Sequence, residues 1–167
     1  MARISPTELG EWFHVHGAAL VLYARQWLER DAAEDVVQDV FLRLMSQRSA
    51  PDNPRAWLFR AVRNAAISGL RSQKRREARA ARPQADRPPW FEPRPDERLD
   101  AAAAQQVLAG LPEEQREVVV LRIWGELTLR EIGELLAEPV STVFSRYQAA
   151  LNAIRQRMGN RQELNHA

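Results

Sequence analysis

Apolar positions recur at intervals of three and four along most of this 167-residue chain, the spacing that gathers them on one side of an α-helix, and no strand-helix alternation interrupts it. The pattern is sharpest over residues 31–71. Asp31 with Glu34 three residues on makes an N-terminal capping signature, and Ala33, Val36, Val37, Val40, Phe41 and Leu44 then share one arc. Asp31, Asp35, Gln38 and Asp39 gather on the opposite side, with Leu42 among them. A second helix opens on Asn53 as N-cap and Pro54 at its first position. Its core arc holds Leu58, Phe59, Val62, Ala65 and Ala66, while Arg60, Asn64 and Arg71, edged by Trp57 and Ser68, face the other way. Upstream, Ser5 or Thr7 can cap one or two helices, with Pro6 in a first turn. There Leu9, Trp12, Phe13, Ala19, Leu20, Leu22, Tyr23 and Trp27 supply apolar surface for the arc over 36–44.

Residues 76–98 break the period. Five of the ten prolines fall there (Pro83, Pro88, Pro89, Pro93 and Pro95), and proline at that density blocks helix and strand alike. The expected architecture is all-α: two small helical domains, residues 1–75 and 99–167, on a flexible linker over 76–98. In the second domain, residues 99–109 predict a helix closed by Gly110, and Leu111-Pro112-Glu113-Glu114 begins another that ends at Trp124-Gly125. Val118, Leu121 and Trp124, with Val119 and Ile123 alongside, form its packing stripe. Thr128-Leu129-Arg130-Glu131 is a capping box for a helix to about Ala137. The turn Glu138-Pro139-Val140 leads into a last helix over about 141–158. Two short helices on a tight turn, the second longer and polar at its start, predict a helix-turn-helix. On that last helix Val143, Tyr147, Ala150, Ile154 and Met158 face the bundle and Thr142, Ser145, Arg146, Gln148 and Asn152 the open side.

Composition excludes several classes. There is no cysteine, so disulfides and thiolate metal sites are unavailable. His14 and His16, two apart, point about 200° away from each other on a helix, with no third ligand nearby, so no metal site is expected. With three scattered histidines and no phosphate-cradling glycine loop, nothing assembles a catalytic site and no cofactor is expected. The N-terminus lacks the apolar core of a signal peptide and no run approaches a membrane span, so a cytoplasmic protein without membrane insertion is expected. Net charge is only +2, yet Arg71, Lys74, Arg75, Arg76, Arg79 and Arg82 crowd together against the single acid Glu77. Such a cluster reads as a phosphate-facing patch or as the start of a basic linker.

The polar faces each allow two readings. Carboxylates around the isobutyl group of Leu42 make either a solvated helix side or a docking surface for a basic, partly apolar helix. Guanidinium groups beside an indole suit unpaired nucleic acid, whose phosphates they neutralise and whose bases they stack on, or they serve solubility. An arginine with amides and hydroxyls at the start of the last helix can reach base edges in a major groove, or can line an ordinary hydrated hairpin.

A family resemblance chooses among these. The run Ala33-Glu34-Asp35-Val36-Val37-Gln38-Asp39-Val40-Phe41, followed by Ala56-Trp57-Leu58-Phe59-Arg60 and Asn64, resembles region 2 of the extracytoplasmic-function group of sigma-70-type sigma factors. Leu111-Pro112-Glu113-Glu114-Gln115-Arg116, then Leu127-Thr128-Leu129-Arg130-Glu131-Ile132, then Ser141-Thr142-Val143 with Ser145-Arg146, is similar to region 4 of the same family. The resemblance implies an alternative sigma factor, not an enzyme, that binds core RNA polymerase and directs it to promoter DNA. It assigns Asp35, Gln38, Asp39 and Leu42 to the polymerase clamp. Arg55, Trp57, Arg60, Asn64 and Arg71 go to the minus-ten element, with the loop over 45–53 helping to capture a flipped base. Arg130, Ser141, Thr142, Ser145, Arg146 and Gln148 go to the minus-thirty-five element. Trp90 and Phe91 in the linker are expected to lie against a partner, and an anti-sigma factor is a further implied partner. The competing reading is a helix-turn-helix regulator that binds DNA without polymerase. This chain departs from the family pattern at Ala137 and Ser141, where glycine is usual, at Glu138 for an aliphatic, at Phe144 for a basic residue, and at Ser68 for an acid.

Overall fold

The structure, a computed structural model, describes residues 3–80 and 106–165. Among them there is helix and no strand, and the chain divides into two compact units, Met1–Pro88 and Pro89–Ala167. Residues 81–105, which include Arg82, Trp90, Phe91, the five linker prolines and the first part of the helix expected over 99–109, lie outside the described residues.

In the first unit α1 (Pro6–Ala24), α2 (Arg30–Met45) and α3 (Pro54–Ala80) each pack on the other two. Ser5 caps α1 in a full capping box with Pro6 in the first turn: Glu8 N donates to Ser5 Oγ at 3.2 Å and the Glu8 carboxylate accepts from Ser5 N at 2.8 Å. The Ser5 backbone N–H and its hydroxyl together hold the Glu8 carboxyl below the usual carboxylate range. The helix is single and runs unbroken to Ala24. The predicted arcs form the core, with Leu20, Tyr23, Ala33, Val37, Val40, Leu44, Leu58, Phe59, Val62 and Ala66 sealed from solvent. Tyr23 is the hinge of an aromatic cluster, its ring meeting Trp27 at 5.2 Å and Phe59 at 5.5 Å, both edge-on. Phe13 sits at the rim, 46% exposed, with its ring edge-on to Phe41 at 5.0 Å.

Two boundaries differ from expectation. The N-cap of α2 is Glu29, not Asp31, and makes no side-chain capping bond. Asp31 falls inside the first turn, where it favours the positive end of the helix dipole, and Arg30 pairs with Glu34 at 3.2 Å. At its far side α3 continues to Ala80, so Arg76 to Arg79 are helical. Arginine, glutamate and alanine are strong helix formers, and the first proline comes only at Pro83.

The second unit contains helical residues 106–109, then α4 (Glu113–Ile123), α5 (Leu129–Leu136) and α6 (Val140–Asn165), with α4 on α6, α5 on α6 and α4 on α5. Leu108, Leu111, Val119 and Ala150 pack together, flanked by Tyr147, Ala153 and Ile154. Gly110 follows helical residues 106–109, and its missing side chain leaves room for the Arg157 guanidinium, which donates to Val107 O at 3.2 Å and Gly110 O at 2.9 Å. The last helix extends past the expected end at Met158, which is 55% exposed and does not reach the bundle. Ile123 and Trp124, expected in the packing stripe of α4, are likewise 47% and 40% exposed.

The tight turn of the helix-turn-helix rests on two small residues. A Cβ on Gly133 would come within 2.9 Å of Glu138 O, so only glycine lets the turn fold back this closely. Ala137 then caps α5 in the left-handed region, at φ 55° and ψ 42°. An alanine there carries a steric cost that glycine avoids. Ala137→Gly is therefore expected to stabilise the second unit by about 1 kcal/mol, which for a domain of this size raises its melting temperature by roughly 4–8 °C. Scanning calorimetry checks it.

Candidate functional site

Three faces carry the chemistry, two on the first unit and one on the second. On α2 the buried arc turns Asp35, Gln38, Asp39 and Leu42 outward together. Leu42 is 58% exposed, and neither carboxylate makes an ion pair among the described residues. Met45, three residues past Leu42 and 55% exposed, adds a thioether to the same side. It marks the end of the helix rather than the start of the loop, and its three-residue spacing from Leu42 was the available signal.

Asn53 fixes the start of α3 as expected, its Oδ1 accepting from Ala56 N at 3.1 Å, with Pro54 at the first helical position. From that anchor Arg60, Asn64 and Arg71 come out exposed on one side, with Trp57 and Arg55 half-buried at its beginning. Arg55 has a partner within the protein. Because α3 outlasts the expected boundary, Lys74 and Arg75 continue the row on the same helix, and the stretch from Arg60 to Arg75 is about 22 Å long at the α-helical rise. The basic cluster is thus in large part a rigid helical stripe.

The second unit places Ser141, Ser145 and Gln148 on the exposed side of α6, with Thr142 half-buried. The Thr128–Glu131 capping box forms as predicted and sets the start of α5. Arg130 stands well exposed on α5, paired with Glu134 at 3.3 Å. Ser145 Oγ donates back to Ser141 O at 3.0 Å. Arg146 is placed differently from its neighbours. Its side chain is only 21% exposed, and it bridges Glu138 of the turn at 3.1 Å and Glu114 of α4 at 3.5 Å. Phe144, on the margin of the apolar arc, is 49% exposed and Val140, one turn earlier, 47%.

The described residues hold no cluster of three or more potential metal ligands, and none of their helices is long and apolar enough to cross a membrane. Comparison with known proteins supplies the rest. Residues 12–76 match the family description Sigma-70 region 2, and residues 107–156 match Sigma-70, region 4. The chain is 31% identical over 137 residues to the ECF RNA polymerase sigma factor RpoE of Cereibacter sphaeroides, covering 75% of this chain and 72% of that protein. It is 33% identical over 162 residues to the ECF RNA polymerase sigma factor ShbA of Streptomyces griseus, covering 85% and 82%. Among solved structures, CnrH in complex with the cytosolic domain of CnrY superposes with a TM-score of 0.62 at 27% identity, over 93% of this chain and 90% of that one. The sigma factor RpoE of Bartonella quintana, solved with the anti-sigma factor NepR, has the same fold: TM-score 0.73 at 22% identity, over 90% and 95%.

Proposed function

We propose a division of labour for this chain, which belongs to the extracytoplasmic-function group of sigma-70-family RNA polymerase sigma factors. As an alternative sigma factor it binds core RNA polymerase and directs it to promoter DNA, and it catalyses no reaction of its own. A regulator acting without polymerase is not favoured, because matches to region 2 and region 4 occur in one chain and in order. The observation that carries the division is that α2 and α3 of one compact unit turn chemically opposite faces to solvent, acidic-apolar and basic-aromatic.

The α2 face, Asp35, Gln38, Asp39 and Leu42 with Met45, docks on the polymerase clamp. The α3 face, Arg55, Trp57, Arg60, Asn64 and Arg71, engages the minus-ten element and holds its melted strand. In the second unit Arg130, Ser141, Thr142, Ser145 and Gln148 contact the minus-thirty-five element. Arg146 joins them by exchanging a carboxylate for a DNA acceptor. The first two faces belong to a domain read over 1–75, whose last helix runs on to Ala80, and the third to a domain over 99–167, with the linker read over 76–98 between them. The protein works in the cytoplasm with polymerase and DNA. An anti-sigma factor is a further partner; the solved relative CnrH is itself in complex with another protein, the cytosolic domain of CnrY.

Stacking and charge on α3 should fail differently. Base-aromatic stacking contributes about 1–3 kcal/mol per base, whereas a phosphate contact contributes mainly salt-dependent affinity. Arg60→Ala and Arg71→Ala are expected to weaken initial promoter binding, each lowering the salt slope by about 1. Trp57→Phe is expected to preserve duplex binding while reducing the fraction of open complexes. Permanganate footprinting of unpaired thymines on a promoter located by transcript mapping reads both. Normal opening by the Trp57 variant would move the opening role to the loop over 46–53.

A further inference from the structure

The helix that enters the promoter groove carries an apolar pair where a charge would be expected. Val140 and Phe144 stand one turn apart at the start of α6, 47% and 49% exposed. They border Ser141, Ser145 and Gln148 without a break, so they lie on the DNA-binding face of a region 4 helix-turn-helix rather than on an isolated patch. The guanidinium nearest them in sequence on this helix, Arg146, is bridged to Glu114 and Glu138 in the free protein. The groups left facing outward at the amino end are therefore a phenyl ring, an isopropyl group, two hydroxyls and an amide.

In the major groove only thymine presents an apolar group, its C5-methyl, and phenylalanine is one of the side chains that pack on it. Half-exposed apolar side chains cost free energy in water, and a methyl group that covers them recovers it. We infer that Phe144, supported by Val140, reads thymine methyl groups in the upstream promoter element, making it a specificity-determining residue of this chain. Cytosine, which lacks the methyl, and uracil, which differs from thymine by the methyl alone, are discriminated against at the contacted position. The inference rests on the promoter-binding reading of the second unit, and its test keeps the two separable.

The test uses the full chain with core polymerase on a promoter located by transcript mapping after overproduction. Each thymine of the upstream element is replaced in turn by deoxyuracil, which removes one methyl and changes no hydrogen-bonding group. Burying one methyl-sized group is worth about 0.8 kcal/mol, so the wild type is expected to lose roughly fourfold in promoter affinity at one or two positions. Phe144→Ala is expected to bind thymine and uracil templates equally there. Its melting temperature should stay near that of the wild type, since the ring is outside the core. Equal affinity of the wild type for every uracil template, with sigma-dependent opening intact, overturns the inference and leaves the promoter-binding assignment standing. A Phe144→Ala variant that keeps the full methyl preference overturns it too. So does one that loses core polymerase affinity without changing that preference, which would assign the ring to a protein surface. Absence of any sigma-dependent opening would overturn both readings together.

Discussion

Reversing the charge at Asp35 and Asp39 together, as Asp35→Lys/Asp39→Lys, is expected to weaken binding to core RNA polymerase by roughly two orders of magnitude, because juxtaposed like charges at an interface cost several kcal/mol. Helix content and melting temperature should barely change. Both carboxylates are exposed and lie opposite Val37, Val40 and Leu44, and exposed substitutions away from caps and cores usually shift stability by no more than about 0.5 kcal/mol. Leu42→Ala is the apolar counterpart: it removes a 58%-exposed side chain from the centre of that face and should weaken binding without charge reversal. Titration of core polymerase with labelled variants separates the two contributions. Unchanged affinity in the double reversal would return the acidic side of α2 to the solvated-face reading.

Phe59→Ala should act through the fold instead. The ring is fully buried and sits edge-on to Tyr23 at 5.5 Å, and Tyr23 in turn meets Trp27. Removing a buried phenylalanine costs about 3–5 kcal/mol through lost burial and the cavity left behind. Domains this small sit near the low end of the ordinary range of about 5–15 kcal/mol, so most of the stability of the first unit would go. The expected result is early melting of that unit with loss of both polymerase binding and strand opening. The second unit, which has its own core around Leu108, Leu111, Val119 and Ala150, should keep its transition. Denaturant unfolding followed by tryptophan fluorescence and circular dichroism checks it. A variant with wild-type stability would mean that the aromatic cluster is not what holds α1 to α3.

Much of this arrangement was legible in the chain because helices write their burial into a 3.6-residue period. The arcs through Val37 and Val40 and through Leu58 and Val62 are the core, and the capping chemistry of Asn53 and Thr128 marks two helix starts at the residue, while of the two caps open for the first helix, Ser5 and Thr7, the fold uses Ser5. The Asp31 signature misled by a turn's beginning, since an acid three residues before a glutamate serves the helix dipole equally well from inside the first turn. At the end of α3, the basic run that reads as a phosphate-facing patch or as the start of a linker is helical as far as Ala80. Periodicity could not tell which members of an apolar arc a small domain has room to cover, so Ile123, Trp124 and Met158 emerge exposed. Pairings between distant positions leave no local trace. Arg146 with Glu114 and Arg157 with Gly110 needed the folded chain, and the first of these changes the site, because it binds within the protein an arginine that the sequence offers to DNA.

Promoter selection by this chain passes through core polymerase, and reconstituted transcription reads that dependence in one experiment. Purified chain, core polymerase and a mapped promoter template are combined, and the start site of the transcript is determined by primer extension. The expected result is a transcript of defined start that requires the chain, disappears with Asp35→Lys/Asp39→Lys, and is preceded by permanganate-reactive thymines around the minus-ten element. Tight, sequence-specific binding of the chain to that template without core polymerase, with no transcript when polymerase is added, would contradict it.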